Sequence, residues 1–384
     1  MLFACTRQDF LPRHRATVED LARRGQVDWR ELARAALRHG VAPLVGANLR
    51  RCDPAALALP GEVAAVLQGA LFENAAVKAG QAAHLERALA RLREAGLQAL
   101  LLKGAALDRA VYDQPSWTVS KDLDLSVRPV ENPHQDRPGP AALEVLRELG
   151  AEGIECDLES HHDVTFNGLL PVDFRSIWAA ARPLRVGREE ALLPAPEDLL
   201  LAAAVNACRK RFRLKGLLDV AEIVWRLPGL DWARLAAAAR AARAEGLVLA
   251  ALSAARATIG VDLPRAHRAL GGSARRRLLQ GLAAGLARAG ALGLAGAGET
   301  RGGLWGRRPE PALLLAYAAL HPGDARRALA LARRHPPPDP AELEAAARAG
   351  TPLVSELTVH GANEGDTALF VEAAITSLVL RGER

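Results

Sequence analysis

Two aspartates separated by one residue are the strongest chemical signal in the sequence. Asp122 and Asp124 lie in the stretch KDLDLSV, residues 121–127, where polar and apolar residues alternate. This alternation predicts a half-buried strand, and residues two apart in a strand share a face, so both carboxylates should point the same way. Neighbouring carboxylates repel unless a cation shields them, and Mg²⁺ prefers oxygen ligands. The alternative is a pair of solvated aspartates on an edge strand.

A lysine and a glycine precede this pair at the start of a predicted helix. The apolar run at residues 97–102 predicts a buried strand that ends at Lys103-Gly104-Ala105. Glycine allows the backbone to approach a ligand closely, and the free N–H groups of a helix start bind phosphate. The ammonium of Lys103 adds positive charge at the same place. The alternative is an ordinary strand-to-helix turn that uses glycine for its conformational freedom.

A third carboxylate, that of Asp173, lies between two apolar residues in Val-Asp-Phe. We predict a hairpin over residues 163–174 with Asn167-Gly168 as its turn, which puts Asp173 on the second strand. If this strand pairs beside the strand of the aspartate pair, three carboxylates converge and can hold two Mg²⁺ ions. One ion would activate an attacking hydroxyl, and the other would neutralise a leaving pyrophosphate. The set therefore predicts in-line attack on the α-phosphate of a nucleoside triphosphate (NTP).

Helical periodicity dominates the rest of the chain. It predicts helices over residues 28–40, with Asp28 as N-cap, and 62–94, and a further series of helices after Pro196. We expect an α+β, mostly helical fold in which a small mixed β-sheet carries the candidate site, and about residues 96–185 are the only strand-rich region. The expected division is an N-terminal helical region (1–95), the core (96–185), a C-terminal helical domain (186–295), and a linker and tail with no assigned role (296–384).

The three chemical elements together resemble the polymerase-β-like nucleotidyltransferase superfamily. LLKGAALDRAVY, KDLDLSV and PVDF follow that superfamily's order of strand, glycine and small residue, helix, Asp-x-Asp and later strand aspartate. More narrowly, roughly residues 20–265 are similar to the bacterial family of uncharacterised nucleotidyltransferases. The residues that match are Lys103 as the lysine, Gly104 and Ala105 as the glycine and small residue, Asp122 and Asp124 as the metal-binding pair, and Asp173 as the third carboxylate.

The chain departs from this pattern at three places. Thr118 stands where many relatives carry arginine, and Lys121 stands where they often carry a small residue. Phe174-Arg175-Ser176 replaces a Leu-His-Trp sequence. Loss of an arginine or histidine that touches phosphate would weaken NTP binding, but it leaves the metal site intact.

The resemblance implies a metal-dependent nucleotidyltransferase that moves an NMP from an NTP to an acceptor and releases pyrophosphate. The expected cofactor is Mg²⁺ or Mn²⁺, and the favoured acceptor is a small molecule or peptide, followed by tRNA and then a protein side chain. The rival function is a catalytically silent module that has the same fold and binds a nucleotide or a protein.

A dense basic run at residues 209–215 lies between two predicted helices. Such enzymes often place residues that hold the triphosphate or the acceptor in this region, so Arg213 and Lys215 join Lys103, Gly104 and Ala105 as candidate nucleotide-binding residues. The alternatives are a solvated helix end and, for Lys215, an ion pair with Asp219 four residues later.

Composition sets the remaining bounds. The chain has 384 residues, of which 50% are hydrophobic, and a net charge of +6, which is a weaker basic excess than dedicated nucleic-acid binders carry. Its four cysteines are far apart, which argues against a zinc site or a disulfide framework. We find no secretory signal and no apolar run long enough to cross a bilayer, so we expect no membrane partner and a cytoplasmic location.

Overall fold

The computed structural model describes nine stretches of the chain. These stretches are residues 1–120, 123–131, 140–154, 156–158, 172–209, 212–264, 270, 353–355 and 358–360. Several predicted features therefore lie wholly or partly outside the described residues. They are Lys121, Asp122, residues 163–171 of the hairpin predicted over 163–174, the basic residues Lys210 and Arg211, and most of the linker and tail predicted over 296–384.

The N-terminal region is helical, as predicted. Asp28 begins the second helix as its N-cap, because its side chain accepts a hydrogen bond from the Glu31 N–H at 3.0 Å. The long fifth helix ends just before Gly96, whose φ of +70° is a conformation that glycine adopts without strain. The helices are α1 (Pro12–Arg23), α2 (Trp29–Arg38), α3 (Ala42–Leu49), α4 (Pro54–Leu57) and α5 (Gly61–Glu94).

A mixed five-stranded sheet follows α5, in the spatial order β3-β2-β1-β5-β4. Strand β1 pairs antiparallel with β2 and parallel with β5, while β3 lies parallel to β2 and β4 antiparallel to β5. The strands are β1 (Leu97–Leu101), β2 (Leu123–Pro129), β3 (Cys156–Leu158), β4 (Arg182–Val186) and β5 (Glu189–Leu193). The helices between them are α6 (Lys103–Ala110), α7 (Pro140–Ala151) and α8 (Phe174–Ala180).

Two details of this sheet differ from the sequence-based expectation. The strand-rich region extends beyond the predicted 96–185, because β5 (Glu189–Leu193) lies beside β1 within the sheet. The prediction that Asp173 lies on a strand is wrong, because Asp173 is the N-cap of α8. The apolar residues Phe174, Ile177 and Trp178 recur at helical spacing, and all three are buried.

The two faces of the sheet bury different sets of side chains. Leu123 and Leu125 of β2 belong to the large core that the helices share. On the opposite face, α8 packs Phe174, Ile177 and Trp178 against apolar residues of β1 and β5. Asp124 lies between the two leucines in sequence, so alternation directs its side chain to the α8 face.

The helices after the sheet were predicted from their periodicity. Asp231 is the N-cap of α11 (Trp232–Ala241), and its side chain accepts hydrogen bonds from two backbone N–H groups. Asp28 caps α2 in the same way with a single such bond. The described helices are α9 (Pro196–Arg209), α10 (Leu214–Arg226), α11 (Trp232–Ala241) and α12 (Glu245–Thr258), and strands β6 (Leu353–Ser355) and β7 (Thr358–His360) form a separate hairpin. None of the helices described in the chain is long and apolar enough to cross a membrane.

Candidate functional site

An ion pair joins the two strongest sequence signals. The Nζ atom of Lys103 lies 3.0 Å from Oδ1 of Asp124. Antiparallel pairing brings the end of β1 beside the start of β2, and the Leu102 N–H donates to the Asp124 carbonyl oxygen at 2.9 Å. The lysine of the Lys-Gly turn and the second aspartate of the pair, 21 residues apart, therefore meet on one face at one end of the sheet.

The backbone of Lys103 adopts an uncommon conformation. Its φ is +42°, in the left-handed region that costs a residue with a β-carbon roughly 1 kcal/mol or more. Lys103 is also the first residue of α6, directly after the strand end. Backbone strain of this kind persists where the surrounding structure enforces it, and it is common at functional sites.

The face of β2 that carries Asp124 is mostly buried and carries an arginine further along the strand. Asp124 is 7% exposed, and Ser126 and Arg128 share its face of β2. The Arg128 guanidinium lies 4.2 Å from the ring centre of Trp178 in α8 and donates a hydrogen bond to Gln98. Burial lowers the pKa of Arg128. This face thus buries most of the Asp124 carboxylate beside the ammonium of Lys103.

Gly104 has a packing role that the sequence did not reveal. A β-carbon at this position would lie 2.6 Å from Cβ and 2.7 Å from Oγ of Ser120. Only glycine therefore allows the start of α6 to lie against the segment that leads to Asp122. This contact accounts for the glycine without a ligand, and close approach by a phosphate remains a prediction.

A cavity of about 250 Å³ lies between α5, α6 and the segment before β2. Ala105, which is buried, lines it together with Lys78, Asp108, Ser120 and Leu123. Because Leu123 and its neighbour Asp124 point to opposite faces of β2, this cavity lies behind the Lys103–Asp124 pair. It is therefore not the space in which that pair would meet a substrate.

Of the other two predicted carboxylates, the structure describes that of Asp173. Oδ1 of Asp173 accepts hydrogen bonds from the N–H groups of Arg175 (3.1 Å) and Ser176 (3.3 Å), and the residue is exposed. Within the part of the chain that the structure describes, no three His, Cys, Asp or Glu side chains are close enough to hold a metal ion. Asp122 lies outside that part, so the predicted triad stays a prediction.

A further aspartate, which the sequence analysis missed, lies beside Asp124 in the sheet. The Cα atom of Asp157 in β3 is the register partner of the Cα atom of Asp124. Its backbone position alone makes it a candidate carboxylate. The sequence signal for a strand at Asp157 was the stretch Cys-Asp-Leu, and three residues are too few to predict a strand on their own.

The described part of the basic run shows an anchored lysine and an exposed arginine. The Nζ atom of Lys215 lies 2.7 Å from Oδ2 of Asp219, which confirms the helical ion pair. The Tyr112 hydroxyl donates to the same carboxylate at 2.7 Å, and burial raises the pKa of Tyr112. Arg213 is exposed at the start of α10. Their role in holding a nucleotide stays a prediction.

Comparisons with known proteins give one match. No curated protein and no solved structure matches the chain significantly. The family model described as uncharacterised nucleotidyltransferase matches residues 25–260, which include α2 to α12, the whole five-stranded sheet and both partners of the Lys103–Asp124 pair. With more than half of its length matched in this way, the chain belongs to the uncharacterised nucleotidyltransferase family.

Proposed function

We propose that this protein is a metal-dependent nucleotidyltransferase that moves an NMP from an NTP to an acceptor and releases pyrophosphate. The observation that carries the proposal is the 3.0 Å contact between Lys103 and Asp124. It brings together a lysine at a helix start and a carboxylate of the Asp-x-Asp pair, which are the groups that would bind phosphate and metal.

The residues at this site fit a divalent cation. The carboxylate of Asp124 is nearly buried and pairs with the partly exposed Lys103, so a cation that approaches from the side of the lysine could replace or join the ammonium as its counter-charge. Carboxylate oxygens are the donors that Mg²⁺ and Mn²⁺ prefer. Asp122, Asp124 and Asp173 would hold the metal, which would lower the pKa of an attacking hydroxyl and stabilise the charge on the leaving pyrophosphate.

The chain's own residues would bind and orient the triphosphate. The side chain of Lys103 is 19% exposed, so it is within reach of a ligand, and its ammonium would pair with phosphate oxygens. The backbone N–H groups at the start of α6, those of Gly104 and Ala105, would add hydrogen bonds to the same oxygens. Arg213 is exposed and would contact the triphosphate or the acceptor, with Lys215 beside it.

For the acceptor, we propose a small molecule or peptide, with tRNA as the second candidate. A tRNA acceptor predicts that affinity falls steeply with salt, because each phosphate contact releases counterions. A small uncharged acceptor predicts affinity that changes little with salt. The exposed Arg213 favours an anionic group on whichever acceptor binds.

The test is calorimetric titration of each of the four NTPs, with and without Mg²⁺, into three proteins. These are the wild type, Asp124→Asn, and Ser126→Ala as the matched control, since Ser126 lies on the same strand face and is equally buried at 7%. We expect Mg²⁺-dependent binding of at least one NTP by the wild type and the control, and a loss of roughly 100-fold or more for Asp124→Asn. Equal binding by all three proteins would refute the site.

The second candidate function is a silent module that binds a nucleotide or a protein. Two observations favour it. The close contact with Ser120 explains why residue 104 is glycine without any ligand, and the carboxylate of Asp124 already has a partner in Lys103. This module predicts NTP binding without Mg²⁺ dependence, or no binding of any NTP.

A further inference from the structure

Three polar residues of α5 form a stripe that faces the segment before the aspartate pair. Asn74, Lys78 and Gln81 are separated by four and three residues, so they lie on one side of the helix. Asn74 and Lys78 are 8% and 6% exposed, which is unusual for these residue types. Burial of such groups requires partners, and their partners show what the stripe does.

All three residues bond to the segment 116–120. The Asn74 amide donates to the carbonyl oxygens of Ser116 (2.7 Å) and Thr118 (2.8 Å). The Gln81 amide donates to the Ser120 carbonyl oxygen at 3.1 Å, and the Lys78 ammonium donates to the Ser120 hydroxyl at 2.5 Å. The path of this segment is therefore set by α5.

Lys78 also bonds to the helix that begins at the Lys-Gly turn. Its Nζ atom lies 2.5 Å from Oδ2 of Asp108 in α6, and the Thr118 hydroxyl donates to Oδ1 of the same carboxylate at 2.7 Å. Burial lowers the pKa of Lys78, and the Asp108 carboxylate opposes this shift. One ammonium thus joins α5, α6 and the segment 116–120.

We propose that Lys78 is a positioning residue that sets Asp124 relative to the start of α6 through its bonds to Ser120 and Asp108. Ser120 is four residues before Asp124 in sequence, and it lies directly against Gly104. A shift of Ser120 would therefore change the spacing between the Lys-Gly turn and the carboxylate of Asp124. The inference rests on the proposed function in assigning those two elements to one reaction site.

Ser120→Ala tests this inference with little disturbance. It removes the hydroxyl that bonds to Lys78 but keeps the β-carbon that packs on Gly104 and leaves the Lys78–Asp108 ion pair in place. Ser116→Ala is the matched control, because Ser116 lies in the same segment and lines the same cavity, and only its backbone carbonyl bonds to α5. Two readouts are compared, which are amide hydrogen exchange over residues 112–125 and the dissociation constant for the Mg²⁺–NTP complex.

We expect Ser120→Ala to raise the amide exchange rate over residues 112–125 about tenfold and to raise the dissociation constant for Mg²⁺–NTP about tenfold. A change of this size corresponds to the loss of one hydrogen bond to a charged group. We expect Ser116→Ala to change neither. Exchange equal to that of the control, or faster exchange with unchanged NTP binding, would overturn the inference. If the wild type binds no NTP, the proposed function fails, and the exchange data still decide whether Lys78 sets the segment.

A double variant tests the same bond from the lysine side. Lys78→Met with Asp108→Asn removes both charges of the ion pair together, and the asparagine oxygen can still accept from Thr118. We expect the same pattern of faster exchange at residues 112–125 as in Ser120→Ala. An unchanged pattern in this folded variant would count against the positioning role.

Discussion

Two lysine–aspartate pairs lie on opposite sides of the Gly104 turn, and they differ in what surrounds them. In the Lys103–Asp124 pair the side chains are 19% and 10% exposed and 3.0 Å apart. In the Lys78–Asp108 pair they are 5% and 8% exposed and 2.5 Å apart. The two aspartates are similarly buried, so the main difference is the accessibility of the lysine.

The hydrogen bonds sharpen this contrast. Asp108 accepts from Thr118 as well as Lys78, and Lys78 also donates to Ser120, so this pair is a closed internal network. Asp124 pairs with a lysine that lies at a strained strand-to-helix turn and is reachable from solvent. The Lys78–Asp108 pair holds secondary-structure elements together. In the Lys103–Asp124 pair, by contrast, either side chain can leave its partner and bind a ligand.

The largest predicted difference comes from removing each lysine in turn. We expect Lys78→Met to lower the free energy of unfolding by roughly 3–5 kcal/mol, because it leaves Asp108 charged and buried without its counter-ion. We expect Lys103→Met to cost on the order of 1–2 kcal/mol, because Lys103 is partly exposed and its replacement leaves the Asp124 carboxylate within reach of water. Urea denaturation followed by circular dichroism measures both.

Added Mg²⁺ separates the two variants further. A cation that binds the carboxylate of Asp124 only in the folded state would stabilise Lys103→Met more than the wild type, since the ammonium no longer competes. At the same Mg²⁺ concentration, the gain in the free energy of unfolding should be no larger for Lys78→Met than for the wild type. Equal responses in the three proteins would show that the two pairs do not differ in their access to a cation.

Gly104 lies between the two pairs and allows a smaller test of their separation. We expect Gly104→Ala to destabilise the protein by roughly 1–3 kcal/mol, because its β-carbon would overlap Ser120. In a Ser120→Gly background, which lacks both overlapping atoms, the same Gly104→Ala change should cost much less than it does in the wild type. If Gly104→Ala alone is as stable as the wild type, then the close contact with Ser120 does not explain the glycine.

Local signals in the sequence were sufficient for most helices and for the first two strands. Asp28 caps α2 as predicted, and the helix predicted over 62–94 is observed as Gly61–Glu94. These predictions succeeded because caps and long periodic segments depend on neighbours in sequence. The antiparallel pairing of the Lys-Gly strand with the Asp-x-Asp strand was not predicted and is a finding of the structure.

The failures involve contacts between residues far apart in sequence. Strand β5 lies beside β1 through the pairing of Leu100 with Leu192, and no local pattern encodes that position. Asp173 looked like a strand residue because Val-Asp-Phe alternates, yet the same three residues also begin a helix. The partners of Lys78 were equally hidden, since a lysine on a long helix is usually solvated.

The smallest prediction concerns the strained backbone at the accessible pair. Lys103→Ala and Lys103→Gly both remove the ammonium, but only glycine adopts a φ of +42° without a steric penalty. We expect Lys103→Gly to be more stable than Lys103→Ala by about 1 kcal/mol. Gln68, an exposed position inside α5, serves as the control site. There we expect the opposite order, with Gln68→Gly less stable than Gln68→Ala by about 1 kcal/mol.

The same two Lys103 variants also test nucleotide binding. Both should bind Mg²⁺–NTP equally weakly, because the missing charge rather than the strain determines binding. If Lys103→Gly retained wild-type affinity, the lysine side chain would have no part in holding the triphosphate, and the accessible pair would be as structural as the buried one.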